Sequence, residues 1–250
     1  MSAYVVVRRS VDWQSFDPRD SIPFCRSMGL PETLIVDYCA LWGRQMGVSY
    51  QEVRHELNLI AKRSWSSIPG AAVISATQLQ AMRVTDEDRI LFTDDDDWFS
   101  AGVTGTPADA IWGSILISKF LFPPERAEEP VTMKRPFDGF VFTNNASVSG
   151  ATLKRLGLSR LFDHGPAERA RRWRRYRPKK IREYLSCTNK HPCSTTAILH
   201  NMQSETFRRD VRQVVESFVE ALTEPLPDDI AWLGDYRESL RDVFRRSAHT

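Results

Sequence analysis

Short β-branched runs and helical stripes alternate along this chain. Tyr4 to Val7 is a compact apolar run that ends in Arg8 and Arg9, the pattern of a central strand delivering two cations to its carboxyl end. Residues 18 to 31 are punctuated by Pro18, Pro23, Gly29 and Pro31 and read as loop. Pro31 and Glu32 then open a helix whose apolar stripe is Leu34, Ile35, Tyr38, Leu41 and Trp42. A second helix is predicted from Ser49 to Arg63, with Val53, Leu57 and Ile60 on one face and Ser49 with Glu52 as a capping box. Pro69-Gly70 breaks the chain before a short strand at Ala71 to Ser75 and a helical turn at Thr77 to Met82.

The next apolar run, Ile90 to Thr93, reads as a buried strand and leads straight into four aspartates, Asp94 to Asp97, followed by Trp98 and Phe99. Ala101 to Pro107 is a small, Gly-containing loop of the kind that covers a ligand. Ile111 to Leu121 is apolar with a periodicity that does not decide between strand and helix. Phe137 to Thr143 reads as a strand ending at Asn144-Asn145, Ser149 to Leu156 as a helix, and Ile181 to Ser186 as a short extended piece. The C-terminal part is helical: Phe207, Val211, Val214, Val215, Phe218 and Leu222 form one stripe, Pro225 and Pro227 end it, and Ile230 to Arg245 forms a last amphipathic helix.

The aspartate run carries the candidate chemistry. Asp is common in exposed turns, but such turns are rarely pinched between an apolar strand and an aromatic pair. Carboxylates at the carboxyl end of a buried strand lie where open α/β sheets hold their ligands. Crowded carboxylates repel one another unless protons or a cation intervene, and Mg²⁺ is satisfied by one or two of them plus water and phosphate oxygens. The run therefore reads as a metal or diphosphate site. Trp98 and Phe99 read as core beside it.

Composition narrows the setting. The 250 residues carry a net charge of +2 with 42% hydrophobic and 26% charged residues, which is ordinary for a globular protein and excludes a polyelectrolyte. No apolar run approaches the length of a membrane span, and the N-terminus lacks a secretion-signal pattern. Cys25, Cys39, Cys187 and Cys193 match no common zinc spacing and read as free thiols of a reducing cytoplasm.

The order of elements, with an aspartate cluster about ninety residues in and a polar histidine segment downstream, resembles a GT-A glycosyltransferase. ILFTDDDDW is similar to the aspartate motif of bacterial rhamnosyltransferase-like proteins, and YLSCTNKHPCS matches a family segment through Asn189 and His191. The resemblance implies an α/β fold with a mixed sheet flanked by helices: a catalytic domain over residues 1–205 and a helical extension over 206–250 packed on it. Residues 16–65 depart from the family by giving two helices where strand and helix usually alternate around the nucleotide.

The implied activity is metal-dependent transfer of a sugar from a nucleotide-sugar donor to a glycan or lipid-linked acceptor. Asp96 and Asp97, with His191 as a third ligand, would hold Mn²⁺ or Mg²⁺, and Asp94 or Asp95 would accept a hydrogen bond from a ribose hydroxyl. Arg9 would end the first strand at the donor. Lys190 would contact phosphate, with Ser194 and Thr195 as hydroxyl donors. Asp163 occupies the place of the base that inverting enzymes use, with Glu168 as the alternative; on base rates Asp163 is first a helix cap or turn residue. His164 is the other histidine of note.

Residues 169–182 hold nine Lys or Arg in fourteen positions, with Trp173 and Tyr176 among them. The tract reads as a solvated helix from Pro166 to about Arg177, as a patch for an anionic membrane surface or acceptor phosphate, or as a nucleic-acid contact with stacking aromatics. A membrane surface or acceptor phosphate is favoured over nucleic acid because no nucleic-acid module accompanies the tract. These readings make the chain a cytoplasmic enzyme, peripheral on the inner face of the membrane where it meets lipid. The alternatives are another Mg²⁺-dependent phosphate-processing enzyme and a nucleic-acid-binding protein using the tract.

Overall fold

The computed structural model describes residues 4–8, 34–118, 131–135, 144–157, 176–194 and 210–248. Two compact units are interleaved along the chain. The first comprises Met1–Ser10, Ala61–Ile115 and Lys134–Thr188, the second Val11–Ile60, Leu116–Met133 and Asn189–Thr250. The class is α/β with a mixed sheet, and the C-terminal segment is helical. The expected boundary near residue 205 lies outside the described residues.

Three parallel strands form one side of the sheet. β1 (Tyr4–Arg8) lies between β2 (Ala72–Ser75) and β3 (Arg89–Thr93), in register Val6 to Val73 on one side and Val6 to Leu91 on the other. Val5, Val6 and Val7 are fully buried, as are Ile90 and Leu91, so these runs are apolar without alternation because both faces are covered. One face packs Val5, Val7, Ile90, Phe92, Ala146 and Val148 against Leu79 and Leu153. Those two come from short helices, α3 (Ala76–Ala81) and α4 (Gly150–Leu156). Each helix is capped by the last residue of the strand before it: Ser75 with Gln78 closes a capping box on α3, and Ser149 accepts from the Thr152 amide on α4.

β7 (Ala146–Ser149) is antiparallel to β3 and to β5 (Ala110–Ser118). The segment whose periodicity left strand and helix open is therefore a strand, buried at all nine positions. Gly113 sits in it because a Cβ there would stand 2.7 Å from the Tyr184 ring. β8 (Lys179–Lys190) is longer than the extended piece expected, and β4 (Trp98–Phe99) pairs antiparallel with it, Trp98 opposite Cys187. The loop expected after β4 is a 3₁₀ turn, Ala101–Gly105. β6 (Thr132–Arg135) pairs with β5 off the main path, and the strand predicted over 137–143 lies outside the described residues.

The strand order β2-β1-β3-β7-β5-β8-β4 requires the sheet to curl. In a flat sheet β3 and β4 would stand about 19 Å apart, four spacings of about 4.8 Å. Five residue steps span at most about 18 Å when fully extended, and the Thr93-to-Trp98 connection contains a turn. The aspartates make that connection.

In the second unit, α1 (Leu34–Met46) and the start of α2 (Tyr50–Ser66) pack with α5 (Val211–Ala221) and α6 (Gly234–Ala248). Trp42 lies edge-on to Phe244 at 6.3 Å between ring centres, and Phe218 meets the same ring at 5.4 Å. The Ser49–Glu52 capping box of α2 forms as expected, with both reciprocal bonds at about 3 Å. Those two bonds hold the Glu52 carboxyl below its ordinary range. Among the described residues no helix is long and apolar enough to cross a membrane.

Candidate functional site at the carboxyl edge of β1 and β3

Because β1 and β3 are parallel and in register from Tyr4–Arg89 to Arg8–Thr93, they end at the same edge of the sheet. The chain passes from β1 to β2 on one side and later to β3 on the other. That reversal of direction makes the carboxyl ends of β1 and β3 a switch point, where doubly wound sheets open a crevice for ligands. Asp94 leaves β3 there.

Asp95 and Asp96 form the turn and are 8% exposed, Asp97 is 1% exposed, and Asp94 is half-buried. Three successive carboxylates with less than a tenth of their surface in water must be matched by partners or protons. The polypeptide around them is held from several sides. Thr93 donates its hydroxyl to the Asp94 carbonyl at 3.1 Å, and the Trp65 indole of α2 donates to the Asp97 carbonyl at 3.1 Å. Ser64 accepts from the Phe99 amide at 2.6 Å and donates to the Phe99 carbonyl at 2.9 Å, completing the hydrogen bonding of β4 as a neighbouring strand would. Trp98 and Phe99 are buried and belong to the core, as the sequence reading favoured.

Asn144, just before β7, was not among the expected site residues. Its amide nitrogen donates to Asp97 Oδ2 at 3.1 Å and to the Cys187 carbonyl at 3.0 Å. Its oxygen accepts from the Thr188 hydroxyl at 3.1 Å. Two acceptors on one side and a hydroxyl on the other fix which way the amide points. The only trace in the sequence was an Asn-Asn pair at a predicted strand end.

Lys190 ends β8 and His191 follows it; both fall in the second unit, where Asn189 and His191 are fully buried and Lys190 is half-buried. The His191 ring lies 5.7 Å from Phe244, its Nδ1 accepts from the Cys193 amide at 3.1 Å, and its Nε2 stands 3.2 Å from the Arg54 guanidinium. With Nδ1 accepting from the Cys193 amide, a neutral ring carries its hydrogen on Nε2, on the side of Arg54. Tyr38 and Tyr50 donate to the Pro192 and Cys193 carbonyls at 2.7 Å each, so α1 and α2 hold the whole His191–Ser194 turn. Burial pushes the Tyr38 hydroxyl well above its ordinary value, with Cys193, Tyr50 and Cys39 adding to it. Ser194 is buried beside them.

Arg9, Asp163, His164, Glu168, Thr195 and the tract from Arg169 to Arg175, with Trp173, lie outside the described residues. The remainder of the tract divides. Arg177, Lys179, Lys180 and Arg182 are exposed, whereas Tyr176 is 4% exposed and packs in the core of the first unit. Its hydroxyl donates to the Ser147 and Ala110 carbonyls, so this ring is not a platform for a base.

Among the described residues no group of three or more His, Cys, Asp or Glu side chains is arranged to hold a metal. A Mg²⁺-type ion needs only one or two carboxylates from the protein, and Asp96 and Asp97 meet that donor requirement. An open groove of about 750 Å³ elsewhere, in the second unit, is lined by Ser49, Glu52, His55, Glu56 and Arg246. Two of its acids have partners, Glu52 in Ser49 and Glu56 in Arg246 at 3.2 Å. No family model, curated protein or solved structure matches this chain.

Proposed function

We propose that this chain is a metal-dependent glycosyltransferase of GT-A-like fold that moves a sugar from a nucleotide-sugar donor to a glycan or lipid-linked acceptor. The reading is supported by one observation above all: Asp95, Asp96 and Asp97, nearly buried, at the shared carboxyl edge of two parallel strands. Carboxylates gathered at a strand edge suit a hard cation, and with it a reaction whose leaving group is a diphosphate. Residues of the first unit alone carry the proposal. Asp96 and Asp97 hold Mn²⁺ or Mg²⁺, and Asp94 or Asp95 accepts from the donor's ribose.

An ion held by Asp96 and Asp97 would supply Lewis-acid stabilisation of the departing diphosphate. In the transfer the bond between the anomeric carbon and the diphosphate oxygen breaks and a bond from the acceptor oxygen forms. The acceptor proton passes to a base, for which Asp163 is the candidate, and the nucleoside diphosphate departs. The exposed cations at the start of β8 suit a lipid-linked acceptor at an anionic surface.

The test is a panel of nucleotide sugars assayed for donor hydrolysis with Mn²⁺, with Mg²⁺ and with excess chelator. Turnover of one donor is expected with either ion and none in chelator. Full turnover in chelator, or no turnover of any donor alongside metal-dependent hydrolysis of a plain phosphate ester, removes the glycosyltransferase assignment.

A further inference from the structure

We propose that the end of β6 and the start of β8 form one docking surface for an anionic membrane, with phosphate-bearing lipid headgroups as its ligand. The inference deepens the acceptor side of the proposed function and rests on that reading for its purpose, but the binding itself needs neither donor nor metal. Both strands pair with β5. Lys134 and Arg135 end β6, and Arg177, Lys179, Lys180 and Arg182 lie just before and along the start of β8; all six are exposed. Within residues 134–135 and 177–183 they stand beside a single acid, Glu183. The two groups come from distant stretches of the chain, and Tyr184 joins them in space. A Cβ on Gly113 would stand 2.7 Å from the Tyr184 ring and 3.3 Å from the Arg135 carbonyl, so the ring lies directly on β5 beside the end of β6. The Lys134 ammonium stands over that ring, 5.5 Å from its centre. All of these residues belong to the first unit.

Charge and the placement of the aromatics choose the occupant. The whole chain carries a net charge of only +2, so six cations gathered with one acid make a local field rather than share in a general one. A single-stranded nucleic acid needs stacking faces among the cations. Tyr176 lies in the core, and Tyr184 is half-buried with its ring engaged by β5 and Lys134, so neither is presented to a base. A duplex is read by a helix or a two-stranded ribbon set into its groove, whereas β6 and β8 belong to an eight-stranded sheet too broad to enter one. An anionic bilayer asks for less: cations within a screening length of its surface, about 10 Å at about 0.1 M salt, and no register between them. Ile181, half-buried between Lys180 and Arg182, suits such an interface, where the stems of lysine and arginine cover apolar neighbours while their charges reach the headgroups.

Vesicles of phosphatidylcholine, with and without phosphatidylserine, are the probe, and co-sedimentation of the full chain is the readout. Binding is expected only with phosphatidylserine. It should fade as salt rises from about 0.1 M to about 1 M, because the screening length shrinks from about 10 Å to about 3 Å. Lys134→Gln with Arg135→Gln, and separately Lys179→Gln, Lys180→Gln and Arg182→Gln together, should each weaken binding by about fivefold per cation removed. The exposed Lys62 and Arg63 supply a charge control. They precede Ser64, which is bonded to Phe99 opposite Ser186, toward the other end of β8, so Lys62→Gln with Arg63→Gln should bind as the wild type does. An equal loss in that control makes binding a matter of net charge and overturns the surface. Wild-type binding by the β6 pair beside a loss in the β8 triple overturns the joint surface. No vesicle binding by the wild type, or salt-sensitive binding to duplex DNA in its place, overturns the membrane assignment. Donor hydrolysis by the wild type in lipid-free solution is a separate readout: its failure beside intact vesicle binding removes the proposed transfer and leaves the surface standing.

Discussion

β3 has aspartates at both ends, and the two groups do opposite work. At its amino end Asp86, Asp88 and Asp109 are joined to the start of α4. Asp109 accepts from the Ser149 amide at 2.8 Å, the Ser149 hydroxyl at 2.9 Å and the Thr152 hydroxyl at 3.1 Å. Asp88 accepts from the Thr85 amide at 2.7 Å, while the Asp88 and Asp86 carbonyls take the Gly150 and Ala151 amides. A helix start offers unpaired N–H groups and a partial positive charge, so carboxylates there are matched by donors that the backbone supplies. At the carboxyl end no helix begins in the aspartate turn; three acids stand at successive positions, and Asn144, from another segment, donates a side-chain amide to Asp97. An aspartate's neighbours in space, more than its exposure, identify a cap, and only the proposal above gives the carboxyl-end run a different role.

The largest expected effect separates the two ends by activity. Asp96→Asn and Asp97→Asn should each lower sugar transfer by about a thousandfold or more, since the ion's stabilisation of the leaving diphosphate is worth several kcal/mol. Their urea midpoints should stay level or rise, because each removes a charge from a crowded, nearly buried group. Mn²⁺ should raise the unfolding temperature of the wild type but not of these variants. A clear loss of stability in Asp96→Asn without loss of transfer would make the carboxyl end a structural cluster like the other one.

Substitutions at the amino end should behave inversely. A Cβ on Gly150 would stand 1.8 Å from the Thr85 carbonyl oxygen, so Gly150→Ala should cost about 3 kcal/mol. Asp109→Ala strands the Ser149 amide and two hydroxyls and should cost about 2 kcal/mol. Chemical denaturation reads both losses, and Mn²⁺ affinity of the folded fraction should not move. If it falls tenfold in either variant, the two ends are coupled through β3 and the division drawn above fails.

How far these roles were legible in the sequence follows from what kind of interaction each depends on. Helical stripes, the capping box at Ser49–Glu52 and the buried runs of β1 and β3 are local, and periodicity reported them. The strand at Ala110–Ser118 was not decided, because a continuously buried run carries no alternation to distinguish it. β4 and β7 escaped notice since they are only two and four residues long and exist through their pairing with β8, β3 and β5. At the site, the aspartates announced themselves by composition, but Asn144, Ser64 and Trp65 act across 32 to 47 residues of chain, and nothing local marks them. His191 was singled out for its polar surroundings in sequence, yet it is buried among Arg54, Phe244 and the Cys193 backbone, partners that only the fold brings near.

Tyr176 gives the smallest and most discriminating test, because it joins the basic tract to the amino-end group. Its hydroxyl donates to the Ala110 and Ser147 carbonyls, beside the residues that anchor Asp109. Burial, and then the Asp109 charge, raise its pKa far above the ordinary tyrosine value, with the bond to Ala110 acting in the other sense. A group whose pKa is raised by folding stabilises fully below its unfolded value, here about 10, and loses that contribution as pH rises toward the folded value. Tyr176→Phe should therefore cost about 1 kcal/mol near neutral pH, the worth of one buried hydroxyl bond. Above about pH 10 its stability should fall less steeply than the wild type's, by the share of one titrating group. Tyr38 is raised as well and Cys39 is pushed up to about 12, so both proteins keep an alkaline limb and the comparison lies in the difference between them. Urea midpoints between pH 8 and pH 11 measure it. Parallel curves for the two proteins, together with weaker binding of Tyr176→Phe to single-stranded oligonucleotides, would return the ring to the surface and revive the nucleic-acid reading of residues 169–182.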